Sequence, residues 1–169
     1  MGGKFGPGEL AGQYRVTGAN EVYDPITDTW ETKTSMPTPR QDLGAQTVND
    51  KIYTLSGVYY ENIFLIIRYG ETEIYDPATD SWNTGESIPL PVWSYASSVD
   101  DNKIYVIGGW NMTSSGANTA HSTQMYDPET NMWSYRTAPG VALSRSAAGK
   151  TTGSIAPKRI YLLGGMDRY

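Results

Sequence analysis

Tyr23-Asp24-Pro25-Ile26-Thr27-Asp28-Thr29-Trp30 is written three times in this chain. It returns as Tyr75-Asp76-Pro77-Ala78-Thr79-Asp80-Ser81-Trp82 and as Tyr126-Asp127-Pro128-Glu129-Thr130-Asn131-Met132-Trp133. Successive tyrosines stand 52 and then 51 residues apart. Self-similarity at one such period marks an array of identical supersecondary units. A second word keeps the same period: Ile52-Tyr53-Thr54-Leu55-Ser56-Gly57, Ile104-Tyr105-Val106-Ile107-Gly108-Gly109 and Ile160-Tyr161-Leu162-Leu163-Gly164-Gly165. A third follows each Trp, as Met36-Pro37, Ile88-Pro89 and Ala138-Pro139.

Each word has a physical reading. The Ile-Tyr word is almost continuously apolar, as in a strand buried on both faces, and its glycines allow a sharp departure at positive φ. Glu73-Ile74-Tyr75 and its counterparts form the next strand. Asp-Pro-x-Thr-Asp/Asn then makes a hairpin. The Asp side chain bonds the backbone ahead, Pro presets φ, and Asp28, Asp80 or Asn131 takes the left-handed position. Trp30, Trp82 and Trp133 open an outer strand and fill the wedge between neighbouring sheets. Small-residue stretches such as Gly44-Ala45-Gln46-Thr47-Val48 supply a further strand where sheets converge. Repetition at equal positions favours packing over sugar stacking for the Tyr and Trp residues, and a turn role over catalysis for the Asp-Pro carboxylates.

The composition agrees. Aromatics make up 12% of the 169 residues, Gly and Pro are plentiful, and no stretch holds a helical period, so the fold class is all-β. The longest apolar run, Ile63 to Ile67, is about a quarter of a membrane span. The net charge of −5 comes with no Lys/Arg cluster, which argues against nucleic acid as a partner. Without Cys there is no disulfide, thiolate catalysis or Cys-ligated zinc. Residues 1–12 read as a flexible leader; Gly2 to Gly8 is Gly-rich but lacks the strand and helix of a phosphate loop. The start carries no signal-peptide pattern. Abundant Ser and Thr lean mildly towards an extracellular or cell-surface setting.

Taken together, Ile-Tyr-x-Ile-Gly-Gly, Tyr-Asp-Pro-x-Thr-x-x-Trp and Met-Pro resemble the Kelch repeat over residues 13 to 165. The resemblance implies a β-propeller with one four-stranded blade per repeat, the small-residue strand innermost, in a ring of about six blades. The chain then holds a part-blade at 13–39, blades at 40–91 and 92–143, and a part-blade at 144–169. Gln13 to Gly18 is a degenerate second strand of the first. The total is about three blades, half of a six-bladed ring. An open arc exposes unpaired edges. Two copies could therefore pair head to tail as a homodimer, or further blades could come from a longer chain.

Binding in propellers falls to the loops and the axial channel. Here the loops between second and third strands are long, from Val58 to Thr72 and from Trp110 to Thr123. The first is apolar enough to be an interface or a hairpin packed on its own blade. The resemblance places Arg40 and Arg145 at the opening of the inner strand, where relatives carry ligand-facing Arg; Val92, followed by Trp93 and Tyr95, breaks that ring. The candidate contacts are Arg40, Tyr59, Tyr60, Trp93, Tyr95, Trp110 and Arg145. Asn111-Met112-Thr113 fits a glycosylation acceptor, which matters only in a secreted chain. His121 is the only histidine, so no His-rich metal site and no copper-oxidase ligand set can be built, and no cofactor or metal is expected. The expected function is a non-catalytic module that binds a protein or a surface glycan. The alternatives are a carbohydrate-active enzyme, epimerase- or lyase-like, with carboxylates and Tyr in an axial pocket, and a structural segment of a larger cell-surface assembly.

Overall fold

The computed structural model describes residues 16–60 and 66–167. In chain order, β1 (Asn20–Asp24) pairs with β2 (Thr29–Lys33), and β3 (Gly44–Val48) with β4 (Lys51–Leu55). β5 (Val58–Tyr60) and β6 (Ile66–Arg68) form a hairpin, followed by β7 (Thr72–Asp76) and β8 (Ser81–Gly85). The pattern repeats with β9 (Ala96–Asp100), β10 (Lys103–Ile107), the hairpin β11 (Trp110–Thr113) and β12 (Gly116–Thr119), then β13 (Thr123–Asp127) and β14 (Met132–Arg136). β15 (Ala147–Lys150) and β16 (Ile160–Leu163) end the series. Among the described residues there is no helix.

Two sheets are complete and antiparallel, in the orders β3-β4-β7-β8 and β9-β10-β13-β14. They run from Gly44 to Gly85 and from Ala96 to Arg136. The ends are half-blades: β1-β2 is an outer pair, β15-β16 an inner one. The first strands of successive blades lie side by side, β3 against β9 and β9 against β15. One expected element fails in its described part. Val16 to Gly18 is irregular backbone, and its Gly18 carbonyl accepts the Met36 amide at 2.7 Å; Gln13 to Arg15, the leader and residues 61–65 of the apolar loop lie outside the described residues.

The repeated octamer explains both the hairpin and the bolt between blades. Asp24, Asp76 and Asp127 each accept the backbone amide two residues on, at 2.8, 3.0 and 3.1 Å. Asp28, Asp80 and Asn131 adopt φ of 55°, 48° and 55°, a region those side chains tolerate. Each accepts the hydroxyl of its own motif Tyr, at 2.7, 2.7 and 2.6 Å. That Tyr packs on the motif Trp at a centroid distance of 5.1 Å in all three copies.

The same residues then reach the preceding blade. Trp82 Nε1 donates to the Thr34 carbonyl and Trp133 Nε1 to the Glu86 carbonyl, both at 2.8 Å. Asp80 accepts the Thr34 amide and Asn131 the Glu86 amide, at 2.9 and 2.7 Å. Inside the seam, Val48, Tyr53 and Leu55 of the first blade meet Ile104, Val106 and Tyr126 of the second, with the Tyr53 and Tyr126 rings 5.9 Å apart. Burying each large apolar side chain contributes about 1.5–3 kcal/mol, so the seam is a core in its own right.

Candidate functional site

At one end of the blades, the segment entering each inner strand pairs with the residue that follows the second strand. The bridges are Gln41 with Val58, Trp93 with Trp110, and Ser144 with Met166. They make Gln41, Trp93 and Ser144 equivalent, and therefore also Asp42, Ser94 and Arg145. These last three share φ of 55°, 51° and 54°. Their backbones join across blades: Ser94 N donates to the Asp42 carbonyl at 2.9 Å, and Arg145 N to the Ser94 carbonyl at 2.7 Å. The repeat words alone put Arg40 and Arg145 at one repeat position. The register corrects this: Arg40 matches Val92 and Leu143, while Arg145 matches Asp42 and Ser94.

That register separates the candidate residues. Arg40 is buried, its Nη2 lying 3.2 Å from Glu73 Oε2 and donating to Thr54 Oγ1 at 3.1 Å. Burial pushes its guanidinium down from the ordinary value, and Glu73 and Glu71 push back. Tyr95 is a tie between blades: its hydroxyl accepts the Gly44 amide at 2.7 Å and donates to the Leu55 carbonyl. Enclosure drives that phenol far above its usual range. A Cβ on Gly44 would sit 2.8 Å from the Tyr95 ring, so glycine is required opposite it.

The other candidates gather at the mouth. Tyr60, on β5, has its phenol raised by burial and by exposed Asp42; an indole hydrogen bond from Trp93 and the charge of Arg145 pull the other way. These four residues come from three successive blades. Trp93 is buried, with its backbone paired in both directions to half-buried Trp110 at 3.0 and 2.8 Å. Tyr59 is half-buried opposite Ile67 in the β5-β6 hairpin. The hairpin alternative for the apolar loop is what its described residues adopt. Asp42, absent from the candidates read from the sequence, adds an exposed acid to the face, near enough to Tyr60, as Arg145 is, to act on its phenol.

Comparison with known proteins bears on the family and the fold. The Kelch motif matches residues 94–138. Kelch-like protein terF of Aspergillus terreus is 31% identical over 160 residues, 92% of this chain and 34% of that protein. The chain belongs to the Kelch-repeat family. Beta-scruin of Limulus polyphemus is 28% identical, covering 80% of this chain and 14% of its own length. Human Kelch-like protein 38 is 25% identical, covering 86% and 24%. The chain thus spans about a third or less of the length of these relatives. The solved structure of YjhT superposes with a TM-score of 0.64 at 17% identity, over 79% of this chain and 55% of that one. The fold is a Kelch-type β-propeller arc.

The opposite end of the Kelch arc differs in chemistry. A cavity of about 350 Å³ opens there between the two complete blades, lined by Lys51, Tyr53, Lys103, Asp127 and Glu129 among others. Its lysines are paired: Lys103 Nζ donates to Asp127 Oδ2 at 2.6 Å and Lys51 Nζ lies 3.2 Å from Asp76 Oδ2. The Lys103 bond holds the Asp127 carboxyl below its usual range, as the Lys51 bond holds Asp76. Asp80 is lowered by the Tyr75 hydroxyl and Asp24 by the Ile26 amide. Such carboxylates stay ionised as turn caps and ion-pair partners.

Proposed function

We propose that this Kelch segment is a non-catalytic interaction module that binds a protein, or a glycan carried on a surface, at the mouth formed by Asp42, Tyr60, Trp93 and Arg145. The observation that carries the reading is the convergence of those side chains from three blades. They form an aromatic patch with one exposed acid and one exposed base, held on a backbone that adjacent blades tie in place. Arg145 offers a planar fork for a carboxylate; Tyr60, Tyr59 and Trp110 offer stacking area at low entropic cost. Arg40 and Tyr95 support the face from beneath. A carbohydrate-active enzyme calls for a carboxyl group pushed upwards to act as an acid at neutral pH; the shifted carboxyl groups named above move downwards.

A displayed peptide library and a glycan array, each screened against the wild-type chain and Arg145→Glu, test the reading. Enriched peptides or glycans should lose at least tenfold in affinity with Arg145→Glu and keep it with Glu129→Lys on the opposite end. Binding lost equally in both variants, or no enrichment on either platform, overturns it. The same reading extends to the open ends of the arc, which we take to be filled by a second copy of the chain.

A further inference from the structure

From the two half-blades we infer that β16 of one copy adds to β1 of the next in a defined register, Ile160 to Tyr23, Tyr161 to Val22, Leu162 to Glu21 and Leu163 to Asn20, so that two chains complete each other's broken blade. The inference rests on the self-association reading above and supplies its geometry.

The complete blade gives the template. There, β4 pairs with β7 as Ile52 to Tyr75, Tyr53 to Ile74, Thr54 to Glu73 and Leu55 to Thr72. Substituting the equivalent repeat positions yields the proposed pairing. Among the described residues, β1-β2 and β15-β16 are separate sheets, and no described strand pairs with the remaining edge of β16 or of β1.

Side-chain burial points the same way. Tyr53 and Leu55 are 6% and 0% exposed, whereas their equivalents Tyr161 and Leu163 are 43% and 60% exposed. In the complete seam, Tyr53 and Leu55 lie against Ile104, Val106 and Tyr126. The matching residues on the N-terminal side of the first complete blade are Ile52, Thr54 and Tyr75. They line a cavity of about 240 Å³ with Met36, Arg40 and Leu43. That slot is the receptor for Tyr161 and Leu163 of an incoming copy.

Size and charge also match. Gly44 must be glycine because Tyr95 faces it; at the proposed joint the equivalent pair is Ala147 and Leu43, where the smaller Leu leaves room for a methyl group. In both complete blades the cation before the Ile-Tyr word reaches the Asp of the Asp-Pro turn, Lys51 to Asp76 at 3.2 Å and Lys103 to Asp127 at 2.6 Å. The corresponding residues at the two open ends are Arg159 and Asp24, one cation and one carboxylate.

The chain has no cysteine, so disulfide trapping reads the register directly. Residues 22 and 161 face each other across the proposed ladder, and both are partly exposed sites that tolerate Cys. Val22→Cys/Tyr161→Cys, oxidised at a concentration where light scattering gives twice the 18.6 kDa chain mass, should become a closed covalent pair. Val22→Cys/Leu162→Cys, out of register by one residue and so pointing to opposite faces, should not. Circular dichroism of each reduced variant against wild type confirms that both fold. A non-covalent pair in which the first variant fails to cross-link, or the second links equally well, overturns the register and leaves self-association standing. A disulfide formed within one chain, a ladder of larger covalent species, or a monomer at every concentration overturns both. None of these outcomes bears on the peptide and glycan screens.

Discussion

The seam between the two complete blades and the slot before the first of them are built from the same repeat words, yet they are chemically unlike. In the seam, Val92, Val106 and Tyr126 meet Tyr53 and Leu55 in a closed apolar core. In the slot, the equivalent positions hold Arg40, Thr54 and Tyr75, each buried yet bordering an open cavity. What a following blade confers is burial of the second-strand residues facing it: Tyr53 and Leu55 are covered, while Tyr161 and Leu163, with no described blade after them, lie exposed. Trp30 carries the same motif as Trp82 and Trp133 and is still 62% exposed, because the described residues place no earlier blade over it.

The sharpest way to break the comparison is at Arg40. Arg40→Met strands Glu73 in the interior and should cost about 3–5 kcal/mol in urea unfolding. Arg40→Val/Glu73→Gln copies Val92 and Gln124, the second blade's own solution, and should recover most of that loss. Gln124 already shows how a neutral side chain serves there, accepting the Leu90 amide and donating to the Leu90 carbonyl, both at 2.9 Å. If the double variant unfolds as readily as the single one, the two positions are not interchangeable.

Next in size is the Leu pair. Leu55→Ala should destabilise by about 2–5 kcal/mol. Leu163→Ala should cost under about 1 kcal/mol in dilute monomer and more where the chain self-associates, a dependence that unfolding at two protein concentrations measures directly. Trp133→Phe removes the donor to the Glu86 carbonyl and should cost about 1 kcal/mol. Trp30→Phe should stay within about 0.5 kcal/mol in the monomer.

The smallest effect is that of acid. The Asp76 and Asp127 carboxyls lie below their ordinary values in the folded chain. Their stabilisation is therefore present above about pH 4 and fades as pH falls through the folded values. Asp127→Asn keeps a turn-capping oxygen and loses the charge, so its unfolding midpoint should fall less steeply than wild type between pH 4 and pH 2.

Much of this was legible in the residues. The Asp-Pro turn, the left-handed Asp or Asn and the wedge Trp each demand a particular side chain, so the words survive repetition and can be read. The mouth was less legible. Asp42, Ser94 and Arg145 are equivalent through a backbone angle, and three residues so unlike in side chain betray no shared role. Arg145 stands 53 residues after Val92, two beyond the 51-residue step that reaches Leu143, and its shared side-chain type let Arg40 pass as its partner. Tyr95 read as a ligand contact because its tie to Gly44 runs between blades 51 residues apart. The apolar stretch after Val58 admitted both a hairpin and an interface, since strand pairing and partner binding ask for the same residues.

Each indole bond runs one way, from a blade to the carbonyl of the blade before it. The arc is consequently polar, and like ends cannot mate. In the proposed two-copy ring every junction repeats the same sense of rotation, so a version shortened by one blade should close as three copies, whereas one lengthened by a blade does not divide a six-bladed turn.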